Sequence, residues 1–187
     1  MRRKWISLLL AASMVLSPSY LFPGAAMALT EQDDSGYSTY ECEDGEVLGS
    51  AVVSTSFSGY TGDGSVVCGM VPVQGVTLSN VTVPEEGDYT VLIRYGQSNW
   101  SARTMYVYAN GNEADAQQVV FPKLKSWGLW DEIPVTVHLQ EGENTLTVAS
   151  GAGDSGDVVL DNVAVSDAPM VMTQVPVPNG GFENGSL

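Results

Sequence analysis

The sequence predicts an all-β domain built as a two-sheet sandwich of about eight to ten short antiparallel strands. Three observations carry that reading. Apolar residues recur with a two-residue period, Gly-, Asn- and Asp-rich turns separate these stretches, and no window shows the 3.6-residue period of an amphipathic helix. A small closed barrel is the alternative that the same periodicity admits.

In chain order, Arg2, Arg3 and Lys4 precede an apolar stretch from Trp5 to Leu16, and Ala26-Met27-Ala28 supplies small residues at its end. Residues 1–28 therefore read as a secretory signal peptide. Ser7, Ser13, Ser17, Pro18 and Ser19 interrupt the run of roughly 20 apolar residues that a membrane anchor needs. Membrane contact is thus expected only during export, and the protein is expected to be secreted or held at the cell surface. Residues 29–37 are expected to form an exposed N-terminal segment, and the sandwich is expected over 38–167.

The first strand is placed at Tyr40 to Asp44. Alternation then marks Val76, Leu78, Val81 and Val83; Tyr89, Val91, Ile93 and Tyr95; Met105, Val107 and Ala109; Val135, Val137 and Leu139; and Leu146 and Val148. Turns fall at Glu86-Gly87-Asp88, Asn110-Gly111-Asn112, Glu141 to Asn144 and Gly151 to Gly156, where positive φ is tolerated. The last strand is placed at Val158 to Val165. Pro169, Pro176 and Pro178 then mark 168–178 as a Pro-rich linker, because prolines cannot complete a ladder. Residues 179–187 contain Asn179-Gly180-Gly181-Phe182-Glu183, which resembles the opening strand of a second sandwich and makes this segment the candidate start of a further domain.

Removing 28 of 187 residues leaves 159, enough to bury roughly two-thirds of the unfolded surface in one core. Removal also takes three of the seven basic residues and none of the 22 acidic ones, moving the formal charge from -15 to -18. The remaining cations, Arg94, Arg103, Lys123 and Lys125, cannot form the basic face that nucleic acid requires. Nor can they pair the carboxylates, so any carboxylates held close together call for a metal cation.

Residues two apart on a strand share a face, so Glu41 and Glu43 are expected to point one way and Cys42 the other. Asp161 falls in phase with Val159, Val163 and Val165, where a carboxylate is costly unless paired or metal-bound. If the first and last strands are neighbours, Glu41, Glu43 and Asp161 converge on an oxygen-rich calcium site. A solvated acidic edge strand is the alternative. Cys42 and Cys68, in an exported chain, are compatible with a disulfide or with two buried thiols. His138 alternates out of phase with Val137 and Leu139 and is expected to face solvent. Asp131 and Glu132 are the nearest thing to a glycosidase pair, but neighbours on a strand point to opposite faces. Asn80, Asn99 and Asn184 each open a glycosylation sequon, a weak signal in a Ser- and Thr-rich chain.

The segments YECED, GYTGDGSVV, VPEEGDYTVLIRYG, VYANG, LKSWGLWDEIPVTVHLQEGENTLTV and LDNVAV, in this order over about residues 38 to 166, resemble carbohydrate-binding modules of families 35 and 6. The resemblance implies a jelly-roll sandwich with a structural calcium held by Glu41, Glu43 and Asp161, with carbonyl ligands around Ser54 to Ser56. Its Trp-x-x-Trp pattern implies that Trp127 stacks on sugar while Trp130 packs inward, and that Tyr60 forms the facing wall. The chain departs from the family where Val158, Val159 and Leu160 stand in place of an Asn at the cleft floor. That leaves Asp157 as the polar candidate there and opens a second surface around Trp100. The implied function is non-catalytic binding of a polysaccharide or oligosaccharide, with a neutral one favoured by the acidic charge. The protein would be a monomeric module that targets an attached glycan-active enzyme. The rivals are a structural or adhesive spacer and a glycoside hydrolase or lyase fragment.

Overall fold

The computed structural model describes residues 36–171. The expected signal peptide, residues 29–35, the linker beyond 171 and the segment 179–187 lie outside the described residues. The strands are β1 Tyr37–Glu41, β2 Glu46–Leu48, β3 Val52–Ser54, β4 Ser65–Val67, β5 Gly75–Val83, β6 Gly87–Gly96, β7 Arg103–Ala109, β8 Gln117–Phe121, β9 Asp131–Leu139, β10 Gly142–Ala149 and β11 Val159–Ser166. No α-helix occurs among the described residues.

The first sheet runs β3-β4-β11-β6-β9 with β1 also paired to β11, and the second runs β2-β5-β10-β7-β8. Every pairing is antiparallel. From β4 to β7, and again from β8 to β11, consecutive strands alternate between sheets, which is the jelly-roll connection and excludes the barrel.

The predicted alternation becomes the core. Tyr89, Val91, Ile93 and Tyr95 of β6 face Val76, Leu78, Val81 and Val83 of β5, Met105 and Val107 of β7, and Leu146 and Val148 of β10, all buried. Pro134 is tolerated because β9 is an edge strand, paired only through β6. Strands β2, β3 and β4 have three residues each, and β8 has five. Pieces so short show little more than one period, so alternation does not reveal them.

Two expectations change at the termini of the sandwich. The first strand stops at Glu41, and Cys42–Asp44 form a 3-10 turn. Strand alternation therefore does not orient Glu43; the turn sends Cys42 into the core instead. At the other end, the first residues of the expected linker stay on the sandwich, where the Met170 N–H donates to Asp88 O at 2.7 Å. His138 is exposed as expected, opposite Asp88, with Nδ1 2.8 Å from Asp88 Oδ1 and Nε2 3.3 Å from Glu86 Oε1. Hydrogen bonds to Asp88 and then Glu86 raise its pKa.

Candidate functional site

A β-bulge places the central carboxylate. Leu160 pairs with Tyr95 and Val163 with Ile93, so three steps along β11 face two along β6. The extra residue breaks the expected phase: Leu160, Val163 and Val165 face the core, while Asp161 is turned out of it beside Arg94. Asp161 is fully buried, so its charge must be met locally. Its Oδ2 pairs with Arg94 Nη1, and its Oδ1 accepts from the Thr61 N–H at 3.1 Å.

Thr61 belongs to the β3–β4 loop, which lies over this carboxylate. The Thr61 hydroxyl donates to Glu41 Oε2 at 2.8 Å and accepts from Asn162 Nδ2 at 2.7 Å. Glu43 Oε1 accepts from the N–H groups of Asp63 and Gly64, at 2.6 and 2.9 Å. Gly62 is required here: its φ is +58°, and a Cβ would run into Glu43 Oε1. The three predicted carboxylates are thus gathered around one loop, although the route is a turn and a bulge rather than two strand faces. Of the expected carbonyls, Ser54 O lies beside Gly64, the residue whose N–H binds Glu43. Ser54 Oγ bonds Ser56 Oγ at 2.9 Å, Ser54 O accepts from Ser65 Oγ at 3.2 Å, and Thr61–Gly64 is the segment laid against the acids.

Burial pushes the Asp161 carboxyl upward even with Arg94 beside it, and burial followed by the charge of Glu43 and Asp161 raises Glu41. Glu43 Oε2 is buried without a partner. Among the described residues no group of three acidic, His or Cys side chains is closed around a metal-sized point. The donor set is nevertheless all oxygen, carries more carboxylates than cations, and leaves one carboxylate oxygen unpaired, which suits a hard divalent cation. Cys42 and Cys68 are both buried as free thiols; burial pushes Cys68 up to about 12 and Cys42 well above its usual value. Neither is a thiolate at neutral pH.

The aromatic residues divide into two groups. Trp127, 42% exposed, packs against Phe57 with ring centroids 5.3 Å apart. Phe57 and Tyr60 both lie in the β3–β4 loop, which joins the Trp127 loop through Trp130: its Nε1 donates to Ser58 O at 3.0 Å. Trp130 does not enter the core as expected; it lies against the Arg94 guanidinium, 5.2 Å from its ring centroid. Trp100 is 99% exposed, with Lys123 Nζ 5.8 Å from its ring. Asp157 is not grouped with Trp127. It pairs with Arg103 at 3.4 Å, and its carbonyl accepts from Asn99 Nδ2 at 2.9 Å, so it belongs to the Trp100 loop. Val158, Val159 and Leu160 are buried. Arg94, Thr61, Asn162 and Phe57 are the members that the sequence reading missed. Arg94 alone carried a signal, as a cation out of phase between Ile93 and Tyr95.

No family model matches the chain. It is 33% identical over 147 residues to the 1,6-alpha-glucosyltransferase of Sporosarcina globispora, covering 77% of this chain and 11% of that enzyme. In structure it is similar to the cycloalternan-forming enzyme from Listeria monocytogenes in complex with pentasaccharide substrate, with a TM-score of 0.62 and 30% identity over 68% of this chain and 12% of that one. The family 35 carbohydrate binding module from Clostridium thermocellum also gives a TM-score of 0.62, at 22% identity, with 68% of this chain covering 97% of that one. The last likeness is one of fold. The chain spans about a tenth of the length of the curated relatives it matches, and its sandwich is the kind of domain that occurs in sugar-active proteins.

Proposed function

We propose that this domain is an exported, calcium-stabilised, non-catalytic module that binds neutral polysaccharide through aromatic residues on its loops. The observation that carries the reading is the pair of exposed indoles, Trp100 and Trp127, neither of which contributes to the core. An indole left in water gives up a large apolar contact area, and a flat ring is what the C–H face of a pyranose stacks on. Polar side chains at the same loops, Asn99 and Lys123 beside Trp100, suit sugar hydroxyls. The carboxylates do not suit glycosidase chemistry, because Asp161 is shut away from solvent and Glu43 is engaged by backbone N–H groups. Similarity to a 1,6-alpha-glucosyltransferase makes an α-1,6-linked glucan the first ligand to try.

Calorimetry against such a glucan, a β-linked glucan and a polyuronate should show binding to a neutral chain. Trp127→Ala and Trp100→Ala should each weaken binding about tenfold, equivalent to about 1.4 kcal/mol, with melting temperature unchanged. Wild-type protein that binds none of the glycans would sink the reading and leave the spacer role.

Glu41, Glu43 and Asp161 are the residues that would hold the calcium. When bound, the ion supplies the positive charge these carboxylates lack. Calcium at 100 times its dissociation constant should add about 2.7 kcal/mol to stability, seen as a rise of several degrees in melting temperature over protein in chelator. Equal melting temperatures, together with no metal by elemental analysis, would refute the calcium assignment.

A further inference from the structure

We infer that Arg94 is a positioning residue for the sugar-binding wall, holding Phe57, Tyr60 and Trp127 in place from the outer side of the first sheet. This rests on the reading of that wall as a glycan surface. The Arg94 guanidinium is used on three sides. Nη1 pairs with buried Asp161, Nη2 donates to Gly59 O at 3.0 Å, and its face lies against the Trp130 ring. Trp130 in turn donates to Ser58 O at 3.0 Å. The carbonyls of two successive loop residues, Ser58 and Gly59, are therefore fixed by one cation-and-indole pair, and those residues are flanked by Phe57 and Tyr60. Phe57 then meets Trp127, closing the chain of contacts from β6 to the exposed indole.

The backbone is shaped for this clamp. Gly59 has φ +89°, and a Cβ there would lie 3.2 Å from Trp130 Nε1, tighter than ordinary packing allows. Gly128, between the two indoles, has φ +84° and faces Ser58. The requirement for arginine follows from geometry: a planar fork reaches a carboxylate and a carbonyl while stacking on a ring, whereas a lysine ammonium is a single point of charge without a planar face. Arg94 touches no sugar in this scheme and acts through the loop.

The test labels the tryptophans with 5-fluorotryptophan, assigns Trp127 by its loss in Trp127→Ala, and follows its fluorine signal in wild type, Arg94→Lys, Arg94→Gln and Trp130→Phe. Trp130→Phe removes the bond to Ser58 while keeping a ring beside Arg94. It keeps the inference testable if Arg94→Gln does not fold. In folded variants the Trp127 signal should move toward its solvent-exposed position without any glycan present. Affinity for an α-1,6-linked glucan should fall about tenfold, and Arg94→Lys should not restore it. A Trp127 signal and an affinity unchanged in Arg94→Lys and Trp130→Phe would overturn the inference. If wild type binds no glycan, the proposed function fails, while the fluorine signal alone still decides whether Arg94 positions the wall.

Discussion

Asp161→Ala is expected to cost about 3–5 kcal/mol of unfolding free energy, the range for removing one partner of a buried ion pair. The carboxylate is fully buried and serves Arg94 and the Thr61 N–H together. Alanine leaves the guanidinium facing a gap and the loop N–H without an acceptor, and a buried donor left unpaired costs more than the bond it made. Asp161→Asn should be much milder in chelator, because it keeps an oxygen for Thr61 and removes a charge that burial already disfavours. With the proposed calcium present, both costs should rise by a similar amount and keep their order, since each variant removes one of the three charged ligands proposed for the ion. Urea unfolding of the two variants, with and without calcium, measures this. A cost below about 1 kcal/mol for Asp161→Ala would mean that the pair barely repays its own desolvation.

The fold and the grouping of the three carboxylates were legible in the sequence, for reasons that differ from residue to residue. The sandwich was legible because β5, β6 and β10 are long enough to repeat their period several times, and each repeat buries the same face. Glu41, Glu43 and Asp161 were legible as a group from their places on the first and last strands and from the family resemblance, the shortage of cations saying only that such a group would need a positive charge. Their orientation was not, because a 3-10 turn and a one-residue bulge each reset the phase on which strand reasoning depends. Trp127 was legible as an indole off the strand pattern. Its partner Phe57 was not, since their contact links loops 70 positions apart in the chain and nothing local marks it. Asp157 was misplaced for the same reason: its distance from Trp127 in sequence says nothing of its bond to Arg103.

Phe121→Ala should also cost about 3–5 kcal/mol, the usual range for emptying a buried aromatic site, and its effect should reach the loops. Phe121 is fully buried at the end of β8 and meets Tyr95 edge-on with centroids 5.0 Å apart. The same neighbourhood fixes the chain that follows. Tyr95 donates its hydroxyl hydrogen to Pro122 O at 3.0 Å, Gln97 Nε2 donates to Phe121 O at 3.0 Å, and the Leu124 N–H donates to Gln97 O at 3.0 Å. These bonds tie the loop that carries Lys123 and leads to Trp127 onto the loop that carries Trp100. Alanine leaves a cavity directly beneath them, and close-packed interiors relax into such a space only partly. At roughly 2–4 °C per kcal/mol for a domain of this size, the melting temperature should fall by about ten degrees. In the folded fraction, glycan affinity should weaken as well, because two loops lose their shared floor. A large loss of stability with unchanged affinity would show instead that the loops of Trp100 and Trp127 are held independently of the core beneath them.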